Sequence, residues 1–302
     1  MDGDRLDGGA ILAQHRGEHE RRQSPPRQGR IVNRALPILT RFCVAFLALA
    51  IALPMSAASA VSAAAPLVLK AGTFADNRPW AFRGADGRLT GFDVDLARAV
   101  ATRLGTGIDF QTMPFRDLFP ALAAGQIDIA LCSITVTAER IKAFDFTQPY
   151  YETSQGVVVL KGSRFRSLSD LSGRRVSTAA GTTNEDWLHA NSARYGLGAI
   201  VPVEGLDQGL ALLQTHGADA YFGDLPALLY SLLERPDLAV VERLKVDERY
   251  AIALPLGSSL TQRVDAALAA LKADGTLATI HRRWFGAAPP PGSPVTTLLP
   301  RP

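Results

Sequence analysis

Two stretches constrain the fold more than anything else in the chain. "FPALAAGQIDIAL" (119–131) and "LALLQTHGADAYF" (210–222) share one phrase: an amphipathic run, a glycine, an aspartate and a short apolar run. Glycine stops a helix, and a strand apolar on both faces belongs inside a mostly parallel sheet, so each phrase is half of a βαβ unit. The same alternation surrounds both. Strands are predicted at 67–72, within "IDFQTM" and at "IDIALCS", with helices over 91–105 and within "FRDLFPALAAG". A second series starts near Arg174: strands at "RRVSTA", "AIVPV", "ADAYFG" and "LAVVE", helices at "NEDWLHANSARYG", "LDQGLALLQTHG" and "LPALLYSLLER". The phrase occurs once in each series, so the reading is two lobes of related build rather than a periodic repeat.

Two extended segments, 156–161 and 249–255, have no helix between them and their neighbours, and two more helices follow within 259–286. The chain is therefore expected to cross between lobes twice. Residues 66–158 plus 254–286 form the first lobe and 159–253 the second; the Pro-rich tail 287–302 is expected to be disordered.

The front of the chain reads differently. In 31–65, Arg34 and Arg41 precede an apolar run from Phe42 to Leu53, broken by Pro54 and followed by small residues. That is the layout of a secretory signal, with a membrane anchor as the alternative; cleavage is expected between Ala60 and Ala65. Residues 1–30 are polar and rich in Arg and Gly, and read as a leader that is disordered or not translated. Of 302 residues only two are cysteine, and past the signal Cys132 stands alone, so an internal disulfide is excluded there. An exported chain of this kind fits a periplasm. Its net charge of +3, with no basic stripe interleaved with aromatics, argues against nucleic-acid binding. The histidines show no metal-ligand spacing, and neither metal nor cofactor is expected.

Chemistry concentrates in "CSITVTAERIKAFDFTQPYY" (132–151). Ser133, Thr135 and Thr137 leave a buried-type strand, and Arg140 follows at a predicted helix start that Thr137 caps. Hydroxyls, free N–H groups and a planar guanidinium fork together suit a carboxylate. The competing assignment pairs Arg140 with Glu139 or Asp145 on a solvated face. In the second series "AAGTTNEDW" again leads from strand to helix through Thr182 and Thr183, and Asp224 ends the strand of "AYFGD" where open α/β sheets bind ligands. Asp224 suits an ammonium; it also suits the N-cap of the next helix. Trp80 and Phe115 are candidates to sandwich a side chain, or else core residues.

The phrases "GFDVDLARAVA", "FRDLFPALAAGQIDIALCSITVTAERIKAFDFTQPYY", "LSGRRVSTAAGTTNEDW" and "GADAYFGD" together resemble the periplasmic solute-binding proteins of polar amino-acid ABC transporters, over about Leu67 to Phe285. The resemblance implies a two-lobed type II periplasmic binding protein fold, each lobe a mixed, mostly parallel α/β sheet flanked by helices, with two crossover hinge strands. It implies that Arg140 grips an α-carboxylate, assisted by Ser133, Thr135 and Thr183. Asp224 would take the α-ammonium, Phe115 would stack on the ligand, and Trp80 would stand near the cleft. The ligand would be a small amino acid or related zwitterion, the partner an inner-membrane ABC permease, and the chain a monomer. Departures are Phe74, where relatives carry an acid, and Asn77, where they carry an aromatic; strong preference for lysine- or arginine-like ligands is therefore not expected. Asp76, Arg78 and Glu185 are the candidates for shaping the side-chain pocket. Two other functions use the same scaffold: a periplasmic cyclohexadienyl dehydratase, with Glu185 as the acid, and a ligand-sensing receptor.

Overall fold

The computed structural model describes residues 68–302; the expected signal and leader lie outside the described residues. The first half of the body runs β1 (Val68–Thr73), β2 (Asp76–Asn77), β3 (Ala81–Arg83), β4 (Leu89–Thr90), α1 (Phe92–Leu104), β5 (Gly107–Thr112), α2 (Leu118–Ala123), β6 (Ile129–Ala130) and β7 (Phe144–Phe146). The second half runs β8 (Tyr151–Leu160), β9 (Arg175–Ala179), α3 (Thr183–Tyr195), β10 (Ala199–Val203), α4 (Leu206–Gln214), β11 (Ala220–Asp224), α5 (Leu225–Ser231) and β12 (Leu238–Tyr250). The chain then returns with β13 (Ala253–Pro255), α6 (Thr261–Ala273) and α7 (Thr276–Phe285).

Two five-stranded sheets result, ordered β5-β1-β6-β13-β7 and β10-β9-β11-β8-β12, with a small β2-β3-β4 sheet beside the first. In each, three strands run parallel, as the βαβ phrases require, and the crossover strands add antiparallel. The fold class is therefore the two-lobed mixed α/β arrangement. The 119–131 phrase forms α2 and β6, and the 210–222 phrase forms most of α4 and β11.

Crossings occur where β7 leads through Gln148 and Pro149 into β8, and where β12 leads through Ala251 and Ile252 into β13. The two paths are tied to each other: the Tyr150 N–H donates to the Tyr250 carbonyl (2.8 Å) and the Thr147 N–H to the Ile252 carbonyl (3.0 Å). Gln155–Leu160 already pairs in the second sheet, so the first crossing lies upstream of the expected boundary at 158. Apolar Val157, Val158 and Val159 are buried because β8 is an interior strand between β11 and β12.

Five aromatic rings pack together at the crossings. Trp80 is fully buried, its ring centroid 4.7 Å from Tyr151, 5.2 Å from Tyr250 and 5.5 Å from both Phe92 and Phe285. Edge-to-face geometry dominates, as ring quadrupoles prefer. Gly91 makes this approach possible: at φ 139 it brings the backbone so near β3 that a Cβ there would clash with the Trp80 carbonyl.

Two expectations are corrected. The segment after Thr137 is not an α-helix but a single 3-10 turn, Arg140–Lys142, because the chain re-enters the sheet as β7 two residues later. The tail 287–302 is not disordered. Val295 is buried, and the buried Lys272 ammonium donates to Thr297 O (3.0 Å) as well as to Gln148 Oε1 (2.8 Å) and Pro149 O (2.7 Å). Burial pushes Lys272 down to about 8. Low-complexity composition misled here because three backbone and side-chain oxygens around one ammonium, plus one valine in a core gap, suffice to dock a short segment.

Candidate functional site

A cleft with about 590 Å³ of empty space, counting its open mouth, lies between the sheets. Its walls include Ser133, Thr135, Phe115 and Arg140 from the first half, and Thr183, Asn184 and Asp224 from the second. Six of the seven expected residues thus meet in one cavity. Trp80 does not: the Asn77–Trp80 turn, closed by a Trp80 N–H to Asn77 carbonyl bond of 2.7 Å, leaves Asn77 on the cleft wall and turns Trp80 into the aromatic cluster behind it.

Arg140 is positioned by its own backbone turn. Thr137 Oγ1 accepts the Arg140 N–H (3.1 Å), and the guanidinium lies 4.8 Å over the Phe119 ring while donating to the Thr135 carbonyl (2.8 Å). Across the cleft it reaches the Gly181 carbonyl at 3.4 Å. Among the described residues it is in no ion pair, so neither Glu139, which pairs with Lys142, nor Asp145, which accepts from Thr261, consumes it. Burial lowers its proton affinity, while Asp186, Glu248 and Asp224 nearby raise it.

Asp224 ends β11 and precedes α5, yet its side chain makes no capping bond. It turns into the cleft and accepts from Asn184 Nδ2 (2.9 Å). Burial raises its pKa against the lowering effect of Asn184 and Arg140. The expectation of a dual role therefore narrows to the cleft role.

Ser133 sits at φ 48, an uncommon conformation for a residue with a side chain. Buried Asp93, in the first turn of α1, holds it by accepting the Ser133 N–H (2.7 Å); Asn77 Nδ2 donates to Ser133 Oγ (2.9 Å). Asp93 has gone unremarked in the sequence because an acid in a first helical turn reads as a dipole partner. Glu248 was also missed. One of its oxygens accepts from both Thr135 Oγ1 and Thr183 Oγ1 (3.1 Å each), joining the two halves, and the other accepts from Gln155 Nε2 (3.0 Å). A signal existed: along β12 the inward face is Leu244, Val246, Glu248 and Tyr250, and an acid on such a face calls for a partner.

Of the three candidates for the side-chain pocket, Glu185 accepts the Gly181 N–H (2.7 Å) at the start of α3 and Arg78 lies 4.3 Å over the Phe82 ring. Asp76 alone lines the cleft. Glu204, also on the wall, pairs with Arg116 across the halves (2.8 Å).

Four acids in or behind the cleft are pushed upward, Asp76 and Asp93 to about 7, Asp224 and Glu248 in direction, with burial the first cause for each. Between about pH 4 and about pH 7, Asp76 and Asp93 keep a proton in the fold that the unfolded chain has already released. Folding stability is therefore present below about pH 4 and lost as pH rises toward about 7, on the order of 4 kcal/mol for Asp93 at most. The ligand-free protein is expected to melt higher at about pH 5 than at about pH 8, and Asp93→Asn to flatten that fall. Melting curves with the opposite slope would contradict the assignment.

Among the described residues no helix is long and apolar enough to cross a membrane, and no cluster of His, Cys, Asp and Glu could hold a metal ion. Residues 69–287 match the family of bacterial extracellular solute-binding proteins, family 3. The chain is 30% identical over 220 residues to ABC transporter arginine-binding protein 1 of Escherichia coli, covering 71% of this chain and 89% of the relative. It is 30% identical over 249 residues to the histidine-binding periplasmic protein of Salmonella typhimurium, covering 79% and 95%. Among solved structures, an ancestral arginine-binding protein bound to arginine superposes with a TM-score of 0.70 at 34% identity, covering 72% of this chain and 98% of that one. The cleft between two α/β halves, the match over 69–287 and these relatives agree: the chain belongs to the family 3 bacterial extracellular solute-binding proteins.

Proposed function

We propose that this chain captures a free amino acid in the periplasm and hands it to an ABC permease, without chemistry. The observation that carries the reading is one guanidinium and one carboxylate, Arg140 and Asp224, on opposite walls of a single cleft. The α-carboxylate docks on Arg140, helped by Ser133 and by Thr135 and Thr183, whose hydroxyls turn to it from Glu248, and the α-ammonium meets Asp224. Phe115 stacks on the guest. Because the two charges come from different halves, a guest carrying both favours the closed state by differential contact. Enclosure strengthens each charge pair. The relatives' names, arginine- and histidine-binding, support an amino acid as the guest. Engagement of Glu185 with the Gly181 backbone leaves a dehydratase acid without support.

Calorimetric titration of the purified chain with the amino acids tests this. Free amino acids are expected to bind, and the corresponding carboxamides and N-acetyl derivatives, each lacking one charge, are not. Equal binding of a carboxamide would reject Arg140 as its receptor.

A further inference from the structure

Among the charged side chains on the cleft wall itself, one acid is left over; Asp93 and Glu248, behind the wall, are held by backbone, hydroxyl and amide donors. If a guest's carboxylate takes Arg140 and its ammonium takes Asp224, and Glu204 is held by Arg116, the remaining charged group on the wall is Asp76. Asp76 shares the wall with Asn77 and Leu206, and its carboxylate and the Phe74 ring both lie against Gly205. Its position is specified from the other half. The carboxylate reaches so far toward the start of α4 that a Cβ on residue 205 would come within 2.6 Å of Asp76 Oδ2, so glycine at 205 makes its room. There the Asp207 carboxyl group, in the first turn of α4, lies within hydrogen-bonding reach of Asp76, while Arg235 pairs with Asp207 at 2.6 Å.

We infer that Asp76, held across the cleft by Asp207, selects the guest's side chain and favours a cationic end group. The inference rests on the amino-acid reading above and names the substrate class of that site. It also revises the expectation drawn from Phe74: the acid missing at 74 does not leave the pocket neutral, because Asp76 faces the cleft two residues on. A cation there completes the balance, with Arg140 and the guest's carboxylate, Asp224 and the guest's ammonium, and Asp76 and the guest's end group all paired.

The setting adds a pH signature. Burial and the facing Asp207 hold Asp76 up at about 7, against the lowering effects of Arg78 and Arg235; buried Tyr221, beneath α4, is the other titratable group close by. A cation needs Asp76 ionised. Preference for a cationic guest should therefore grow as pH rises through about 7, with the proton released on binding. A neutral guest of the same shape should show no such rise.

Arginine and citrulline, which replaces the guanidinium by an uncharged urea of similar shape, make the comparison. At about pH 8 the intact chain is expected to bind arginine at least about tenfold more tightly than citrulline. The ratio should shrink toward one at about pH 5.5. Asp76→Asn should abolish the ratio while keeping citrulline binding, and Asp207→Asn should keep it at pH 8 but move its loss to lower pH. Thermal melts confirm that each variant is folded. Equal affinity of the intact chain for both ligands, binding of uncharged amino acids alone, or an arginine preference surviving in Asp76→Asn would overturn the inference and leave amino-acid capture standing. If Asp76 only clasped the halves, Asp76→Asn would weaken both ligands alike, which also overturns it. Failure of every amino acid to bind would instead reject the reading on which it rests.

Discussion

Arg140→Ala is expected to raise the dissociation constant for an amino acid by about two to nearly four orders of magnitude. The substitution leaves the guest's carboxylate buried without its fork, and breaking a buried charge pair costs about 3–5 kcal/mol. Two features make the effect large here. The guanidinium is held ready by Thr137, the Thr135 carbonyl and the Phe119 ring, so little ordering is left to do on binding. It also has no carboxylate partner in the described structure to release first. Arg140→Lys keeps the charge but loses the planar fork and should fall between the two, roughly 1.5–3 kcal/mol weaker than the native residue. Titration calorimetry reads both; native-like affinity in Arg140→Ala would end the proposal.

Trp80→Ala is expected to destabilise the fold by about 3–5 kcal/mol while leaving ligand affinity within about threefold at temperatures well below melting. For a body of this size that corresponds to a fall in Tm of roughly 6–20 °C. The large stability term follows from a fully buried indole touching four other rings; the small binding term follows from its place behind the cleft. A ligand contact would behave the opposite way, with lost affinity and a nearly unchanged melt. Thermal melting followed by titration distinguishes the two.

The architecture was legible because its signals are local. Helix, glycine stop, aspartate and apolar strand recur at 119–131 and 210–222, and each link depends on nearest neighbours in the chain. The place of Arg140 and Asp224 on the cleft wall was legible from the family-like phrases around them, whereas their spacing alone left an ion pair and a helix cap open. The place of Trp80 was not legible, since whether an aromatic beside a turn faces ligand or core depends on which way the turn closes, here fixed by the Asn77–Trp80 hydrogen bond. Glu248 was missed for a related reason. Its partners Thr135, Gln155 and Thr183 are 65 to 113 residues away in sequence, and only the meeting of the two halves brings them together.

The docked tail has a practical reach. Residues matched by the family stop at 287, and an expression boundary drawn there would take away Thr297 and with it one of the three oxygens around the Lys272 ammonium, immediately behind the Gln148–Pro149 pivot. On the proposed capture mechanism, a dye or fluorescent reporter attached beyond Pro302 would be leashed close to the crossing segments through Thr297, and would report closure on a guest as a change in signal.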